Sequence, residues 1–315
     1  MKLFFRYSLP ARRPSLSFLM AGGFLILYSL FFFSSCEKVD KPYKKWTPPV
    51  PSANDTIRKI LIEDFTGHKC PNCPRAALTI RTLDALYPGQ IIAVAIHPTA
   101  GGGLTSPTPP TYPNDYRTTI GDSYFNTFSE PSLGLPQGTI NRKKTPGGQY
   151  GIADGDWTDS VNAMVHIAPD VLLKITNTYN TTSRQLTASV KCSYLNTLSG
   201  SYKLIMLLTE DSIIAAQTNG TSASNPADPS YPAPEALYYK HMHILRDCIS
   251  DGAGTGLATG AFTQGTSETI SAPTYTLPAN FKGMIPNEQQ CKVIAFIYNT
   301  ATNEIIQAEE AKLIP

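Results

Sequence analysis

The sequence predicts an α/β domain followed by an all-β sandwich that a short helical insert interrupts. Three observations carry this reading. Two apolar runs flank a helical stretch within about 40 residues, the signature of a βαβ unit. Beyond residue 168 the composition turns to Thr, Ser, Asn and Val in alternating polarity, broken by Gly, Pro and Asn turns, as in a sandwich. At 315 residues and 42% hydrophobic, the chain is long enough for two domains and apolar enough to build their cores.

In chain order, residues 1–35 read as a secretory signal peptide. Lys2, Arg6, Arg12 and Arg13 precede an uncharged stretch over 14–35, which closes on Phe33-Ser34-Ser35-Cys36. Small residues before a cysteine resemble the lipobox of bacterial lipoproteins, although Phe33 stands where Leu is usual. That resemblance implies a lipidated Cys36 holding the mature chain at a membrane surface. An uncleaved membrane anchor is the alternative, since about 20 apolar residues can span a bilayer. Either reading places the remainder outside the cytoplasm. The formal charge of +2 belongs to this leader, and without it acids slightly outnumber bases. A mature chain with no basic stripe is not a nucleic-acid binder. Residues 36–56, Pro-rich and without apolar periodicity, form a tether.

The first domain spans 57–168. Residues 59–65 form a strand, 75–87 a helix with Ala77, Ile80, Leu83 and Tyr87 on one face, and 91–96 a buried parallel strand. A Gly/Pro/Thr-rich loop over 98–113 leads to a helix over 115–128, then to Leu135-Pro136 and a strand over 138–142. Another helix starts near Asp156 and carries Trp157, Val161, Met164 and Val165. The second domain, 169–315, reads as strands at 171–179, 185–195, 202–209, 266–277, 291–298 and 304–312, with a helical insert at 235–248.

Chemistry concentrates at Cys70-Pro71-Asn72-Cys73. A C-x-x-C placed after a strand and at a helix start fits a redox pair. The helix N-terminus favours a thiolate, and the spacing lets the second sulfur reach the first. A structural zinc site would need a partner motif, and Cys192, Cys248 and Cys291 are isolated. Covalent haem would need His after the second cysteine, where Pro74 stands. A fixed structural disulfide remains open, because exported proteins live in oxidising surroundings.

The segment from Asp64 to Cys73 resembles the thioredoxin strand-to-active-site stretch, with the same spacing from acid to cysteine pair. Leu135-Pro136 resembles that fold's cis-proline loop. EDFTGHKCPNCP, IIAVAIHP, HMHILRD and the terminal VIAFIYNTATNEIIQAEEA resemble a Bacteroidetes family of outer-membrane lipoproteins, whose archetype is a twenty-eight-kilodalton protein. The resemblance implies a thioredoxin-like domain followed by an immunoglobulin-like sandwich, located on or near the outer membrane. It further implies Cys70 as the attacking thiolate, Cys73 as the resolving thiol, Asp64 as the buried proton relay and Pro136 beside an extended substrate. Lys69 and Pro71-Asn72 depart from the usual thioredoxin residues, which puts an aromatic docking platform in doubt.

Two functions follow. One is thiol–disulfide exchange on exported, cysteine-containing clients, with no cofactor and no metal. The other is a non-catalytic surface lipoprotein whose sandwich binds a protein or glycan, with the CPNC pair as a staple and the 98–113 stretch covering Cys70. His68 and His97 could approach the cysteine pair at the strand tips, as a metal site or, the favoured reading, as polar loop ends. His241 and His243, read as helical, share no face. If any bridge forms among the last three cysteines, Cys192–Cys291 is the favoured one.

Overall fold

The computed structural model describes residues 56–220, 226–252, 254–257 and 262–314, which belong to one compact unit. The expected leader, Cys36 and the tether up to residue 55 lie outside the described residues. The βαβ unit forms as expected. β1 (Ile60–Phe65) runs parallel to β2 (Ile91–Ile96), paired from Ile60↔Ile91 to Phe65↔Ile96, and α1 (Cys73–Leu86) connects them. Both strands are buried along their whole length, so β2 reads as an unbroken apolar run, while β1 carries the buried acids Glu63 and Asp64 after three apolar residues. On α1, Ile80 and Leu83 face the core as expected, while Ala76 rather than Ala77 is fully buried.

α2 (Thr119–Phe128) starts later than expected because Thr118 caps it, its Oγ1 accepting from the Gly121 N–H. Asp115, read as the helix start, is instead tied to the Arg117 guanidinium. β3 (Gln137–Ile140) pairs antiparallel with β1, and β4 (Ile152–Ala153) with β3. α3 (Trp157–Asn162) then packs Trp157 and Val161 against Ile60 and Ile62.

Gly138 sits where β3 crosses Glu63. A Cβ there would lie 2.4 Å from the Glu63 carbonyl oxygen and 2.8 Å from the Trp157 ring. Gly138→Ala is therefore expected to cost about 1–3 kcal/mol by overpacking. An unchanged urea midpoint in this variant would contradict that reading.

The remaining strands are β5 (Val171–Asn180), β6 (Gln185–Tyr194), β7 (Tyr202–Glu210), β8 (Ile213–Thr218), β9 (Glu235–His241), β10 (Ile244–Cys248), β11 (Thr255–Gly256), β12 (Ser267–Ser271), β13 (Tyr275–Thr276), β14 (Cys291–Asn299) and β15 (Ile305–Lys312). They do not stand apart from the first half. One mixed sheet runs β15-β14-β7-β10-β2-β1-β3-β4, with β11 beside β7. Strands on either side of residue 168 are thus hydrogen-bonded neighbours, joined where Ile244 pairs with Ala95. A second sheet, β12-β6-β13 with β5 beside β6, provides the other layer of the sandwich, and β8 and β9 form a separate ribbon.

Along β7 the two faces separate cleanly. Leu204, Met206 and Leu208 pack against Val171, Leu186 and Val190 of the second sheet, while Ile205 and Leu207 join Phe65, Tyr124 and Phe128 on the other face.

Residues 235–248 are not the expected helical insert but the strands β9 and β10. Glu, Ala, Leu, Lys and Arg are good helix formers, but local propensity loses to pairing with β8 on one side and with β2 and β7 on the other. The turn between the two strands is held by Asp211, which accepts from the His243 N–H at 2.7 Å. The strand expected over 266–277 is split in two around Pro273, which has no N–H for the ladder. Cys192 and Cys291 form no bridge. Both are free thiols buried in the sandwich core, as is usual for apolar structural cysteines, and burial pushes each up to about 12.

Candidate functional site

β1 delivers Asp64 and Phe65 to one end of the sheet, and the chain then turns through Gly67-His68-Lys69 into the cysteine pair. Thr66 N–H donates to the Ile96 carbonyl and Cys70 N–H to the Gly67 carbonyl, which fixes the turn. Cys70 and Cys73 are joined as a disulfide. The regular helix begins at Cys73, so Pro71 lies ahead of it rather than in its first turn, and Pro74 falls where the missing N–H costs little. The Leu135–Pro136 bond is cis, and Pro136 is buried.

Both sulfurs are covered, with Cys70 1% exposed and Cys73 2% exposed. Two segments pack on the turn that carries them. From one side, the Leu104 carbonyl accepts from the Lys69 N–H, and a Cβ on Gly67 would sit 2.7 Å from that same oxygen. This part of the 98–113 stretch, Thr99–Leu104, is helical on either side of a kink at Gly102 and meets the turn at Lys69, next to Cys70. From the other side comes the β8–β9 ribbon. Gln217 Nε2 donates to the carbonyls of Gly67 and Cys70, Thr218 N–H to that of His68, and Gly220 N–H to that of Pro71. Tyr112 and Thr218 join the two covers through their hydroxyls at 2.9 Å.

Gln217 was not legible as a site residue. It lies 147 positions from Cys70, and no local pattern marks a glutamine whose partners are backbone carbonyls of a distant turn.

Asp64 is 3% exposed, and its Oδ1 has no hydrogen-bond partner. Burial raises its carboxyl well above the usual range, and the Asp154 carboxylate adds to the effect. Asp154 itself is held by the Arg75 guanidinium through two hydrogen bonds. Asp64 and Cys73 line one small cavity of about 40 Å³ between α1 and β9, together with His97 and His241. Cys70 does not line it.

Three of the histidines, His68, His97 and His241, form an aromatic cluster with Tyr112 and Tyr116. The His68 ring lies against His97, Tyr112 and Tyr116, and Tyr116 continues the contact to His241. Burial lowers His68 to about 4 and His241 to about 3, and it lowers His97 as well, so all three are neutral near pH 7. Among the described residues no three His, Cys, Asp or Glu side chains are grouped to hold a metal ion. His243, now in a turn, pairs with Asp211 at 3.2 Å.

Comparison with known proteins places this architecture. A search of curated proteins finds no match. Among solved structures, HBP35 of Porphyromonas gingivalis is similar at 19% identity, covering 82% of this chain and 76% of its own, with a TM-score of 0.54. A protein of Agrobacterium tumefaciens aligns at 12% identity over 81% of this chain and 95% of its own, with a TM-score of 0.44. A domain of the outer membrane lipoprotein Omp28 from Porphyromonas gingivalis aligns at 17% identity over 47% of this chain and 90% of its own, with a TM-score of 0.30. No described helix is long and apolar enough to cross a membrane. Residues 123–314 match the family described as outer membrane protein Omp28, a match that starts beyond the cysteine motif. Since that stretch is more than half of the chain, the protein belongs to the Omp28 family of outer-membrane lipoproteins.

Proposed function

We propose that this outer-membrane lipoprotein carries an exchangeable disulfide, Cys70–Cys73, in a thioredoxin-like half that shares its sheet with an immunoglobulin-like sandwich. Lipid on Cys36, after removal of residues 1–35, holds it at the membrane. The observation that carries this reading is Asp64. A fixed staple needs no acid behind it, and an unpartnered buried carboxyl is costly. A neutral carboxyl facing the same cavity as Cys73 can give a proton to a departing thiolate and take it back. Exported proteins with cysteines are the proposed clients. To reach either sulfur, such a client must displace the Thr99–Leu104 turn or the β8–β9 ribbon.

One set of observations favours a second reading. Both sulfurs are nearly inaccessible, and the carbonyls of Gly67, His68, Cys70 and Pro71 all accept from the ribbon or the strand end that follows it. In that reading the pair is a staple and the sandwich binds a protein or glycan partner. Equilibration of the folded protein in defined thiol–disulfide buffers separates the two. An exchangeable pair reaches equilibrium without denaturant at a potential above about −300 mV, whereas a staple lies below it.

A further inference from the structure

We propose that in the folded, covered protein the sulfur open to attack is that of Cys73, not Cys70, and that the reductant reaching it there is a small thiolate, protein clients being excluded until the cover is displaced. This rests on the exchange reading above and reverses the order that the thioredoxin resemblance implies.

Access decides the order. Cys70 is 1% exposed and does not line the cavity, and the backbone around it is held by Gln217 on one side and by the Lys69–Leu104 bond on the other. Cys73 borders the cavity between α1 and β9, whose lining also includes Ala77 and, toward solvent, Arg81 and Lys240. A volume of about 40 Å³ corresponds to roughly three water-sized spaces. Hydrosulfide or a short alkyl thiolate fits such a space; an extended peptide strand does not.

Charge points the same way. Arg81 is paired with Asp228, but exposed Lys240 makes no ion pair among the described residues, so the rim is cationic. Inside, the neutral imidazoles of His97 and His241 do not repel an anion.

The chemistry balances with the thiol as reductant. A thiolate RS⁻ attacks Cys73 Sγ, the Cys70–Cys73 S–S bond breaks, and Cys70 leaves as a thiolate ahead of the N-terminus of α1. A second RS⁻ attacks the RS sulfur of the mixed disulfide. RSSR departs, and the Cys73 thiolate takes the proton of Asp64, which regains one from solvent through the cavity. Two electrons pass from two thiols to the protein disulfide.

The test uses the oxidised full chain and reductants of increasing size: hydrosulfide, 2-mercaptoethanol, glutathione and a protein dithiol. Rates are compared after correction for thiolate fraction. The expected result is a fall of at least tenfold between 2-mercaptoethanol and glutathione. A further tenfold loss with 2-mercaptoethanol is expected in Ala77→Phe, which plugs the cavity from α1. An acid quench early in the reaction, followed by peptide mapping of the mixed disulfide, should find the 2-mercaptoethanol adduct labelling Cys73 before Cys70. Glutathione acting as fast as 2-mercaptoethanol, or Cys70 labelled first, overturns this proposal while leaving exchange intact. Reduction by none of the four without denaturant overturns the exchange reading as well.

Discussion

Replacing Arg142 with alanine is expected to lower the unfolding free energy by about 3–5 kcal/mol, the usual cost of breaking a buried ion pair from one side. Arg142 follows β3 and is only 2% exposed. Its guanidinium donates to both oxygens of Glu63, at 2.9 and 2.5 Å, and Thr139 Oγ1 donates to the same carboxylate at 2.7 Å. The flat face of the cation lies over the rings of Tyr124 and Phe128 at 4.4 and 4.1 Å and over Phe296 of β14 at 5.0 Å. One side chain therefore joins β1, α2 and β14, which come from both halves of the sequence. The preceding residue does similar work through its backbone and amide. Asn141 Oδ1 accepts from the Leu61 N–H, and its carbonyl accepts from the Ile305 N–H. Lysine at 142 keeps the charge but loses the two-pronged geometry and the stacking, so Arg142→Lys should recover only part of the loss. Truncating Arg142 leaves Glu63 charged and buried, whereas the paired change Glu63→Leu with Arg142→Met leaves no stranded charge. That double variant should be more stable than Arg142→Ala alone. Urea titration reads all of these. An Arg142→Ala loss below about 1 kcal/mol would show that the pair does not join the halves.

Asp64→Asn is expected to stabilise the protein at neutral pH and to slow disulfide exchange, opposite effects from one atom. In the unfolded chain an aspartate ionises near pH 3.9, whereas burial holds the folded Asp64 carboxyl protonated well above that. Below about pH 4 both states keep the proton, and the folded state carries no penalty. As pH rises toward the folded pKa, only the unfolded chain releases its proton, so stability falls by about 1.4 kcal/mol per pH unit from this group, then levels off. Asparagine has the shape of the neutral acid and cannot ionise, so the variant lacks this slope. Urea unfolding from pH 4 to 9 should therefore show the two proteins diverging as pH rises, with the variant the more stable. Parallel curves would mean that Asp64 is ionised in the folded state and cannot act as a proton donor. The kinetic half of the prediction is a slower reduction of Cys70–Cys73 by 2-mercaptoethanol in the variant, because the departing Cys73 thiolate has no neighbouring acid.

The parts of the molecule that were legible in the sequence are those whose surroundings are uniform along the segment. β1 and β2 are buried on both faces, so their apolar runs mark them without knowledge of their neighbours. The CPNC turn is marked by its place between strand and helix, whereas Asp64 stands out only through the thioredoxin resemblance. Residues 235–248 failed because a strand of Glu, Ala, Tyr and Lys beside a ribbon has no periodic signature, and its partners lie far away in sequence. The continuous sheet failed for the same reason. A single pairing, Ile244 with Ala95, turns two halves that read as separate into neighbours, and composition carries no trace of it. The covering of Cys70 by Gln217 is likewise a contact between distant backbone and side chain. Cys192 and Cys291, finally, are the favoured partners if any bridge forms, because both lie in expected strands, and the core keeps both as free thiols.

Whether the Cys70–Cys73 disulfide exchanges while the protein stays folded can be read from the urea dependence of its reduction. The rate of reduction by a fixed concentration of 2-mercaptoethanol is measured below the unfolding transition. Attack through the cavity exposes little new surface, so the expected rate is nearly independent of urea in this range. A rate that climbs exponentially with urea, with the slope of global unfolding, would show that the sulfurs are reached only when the chain opens, and would leave the pair a staple.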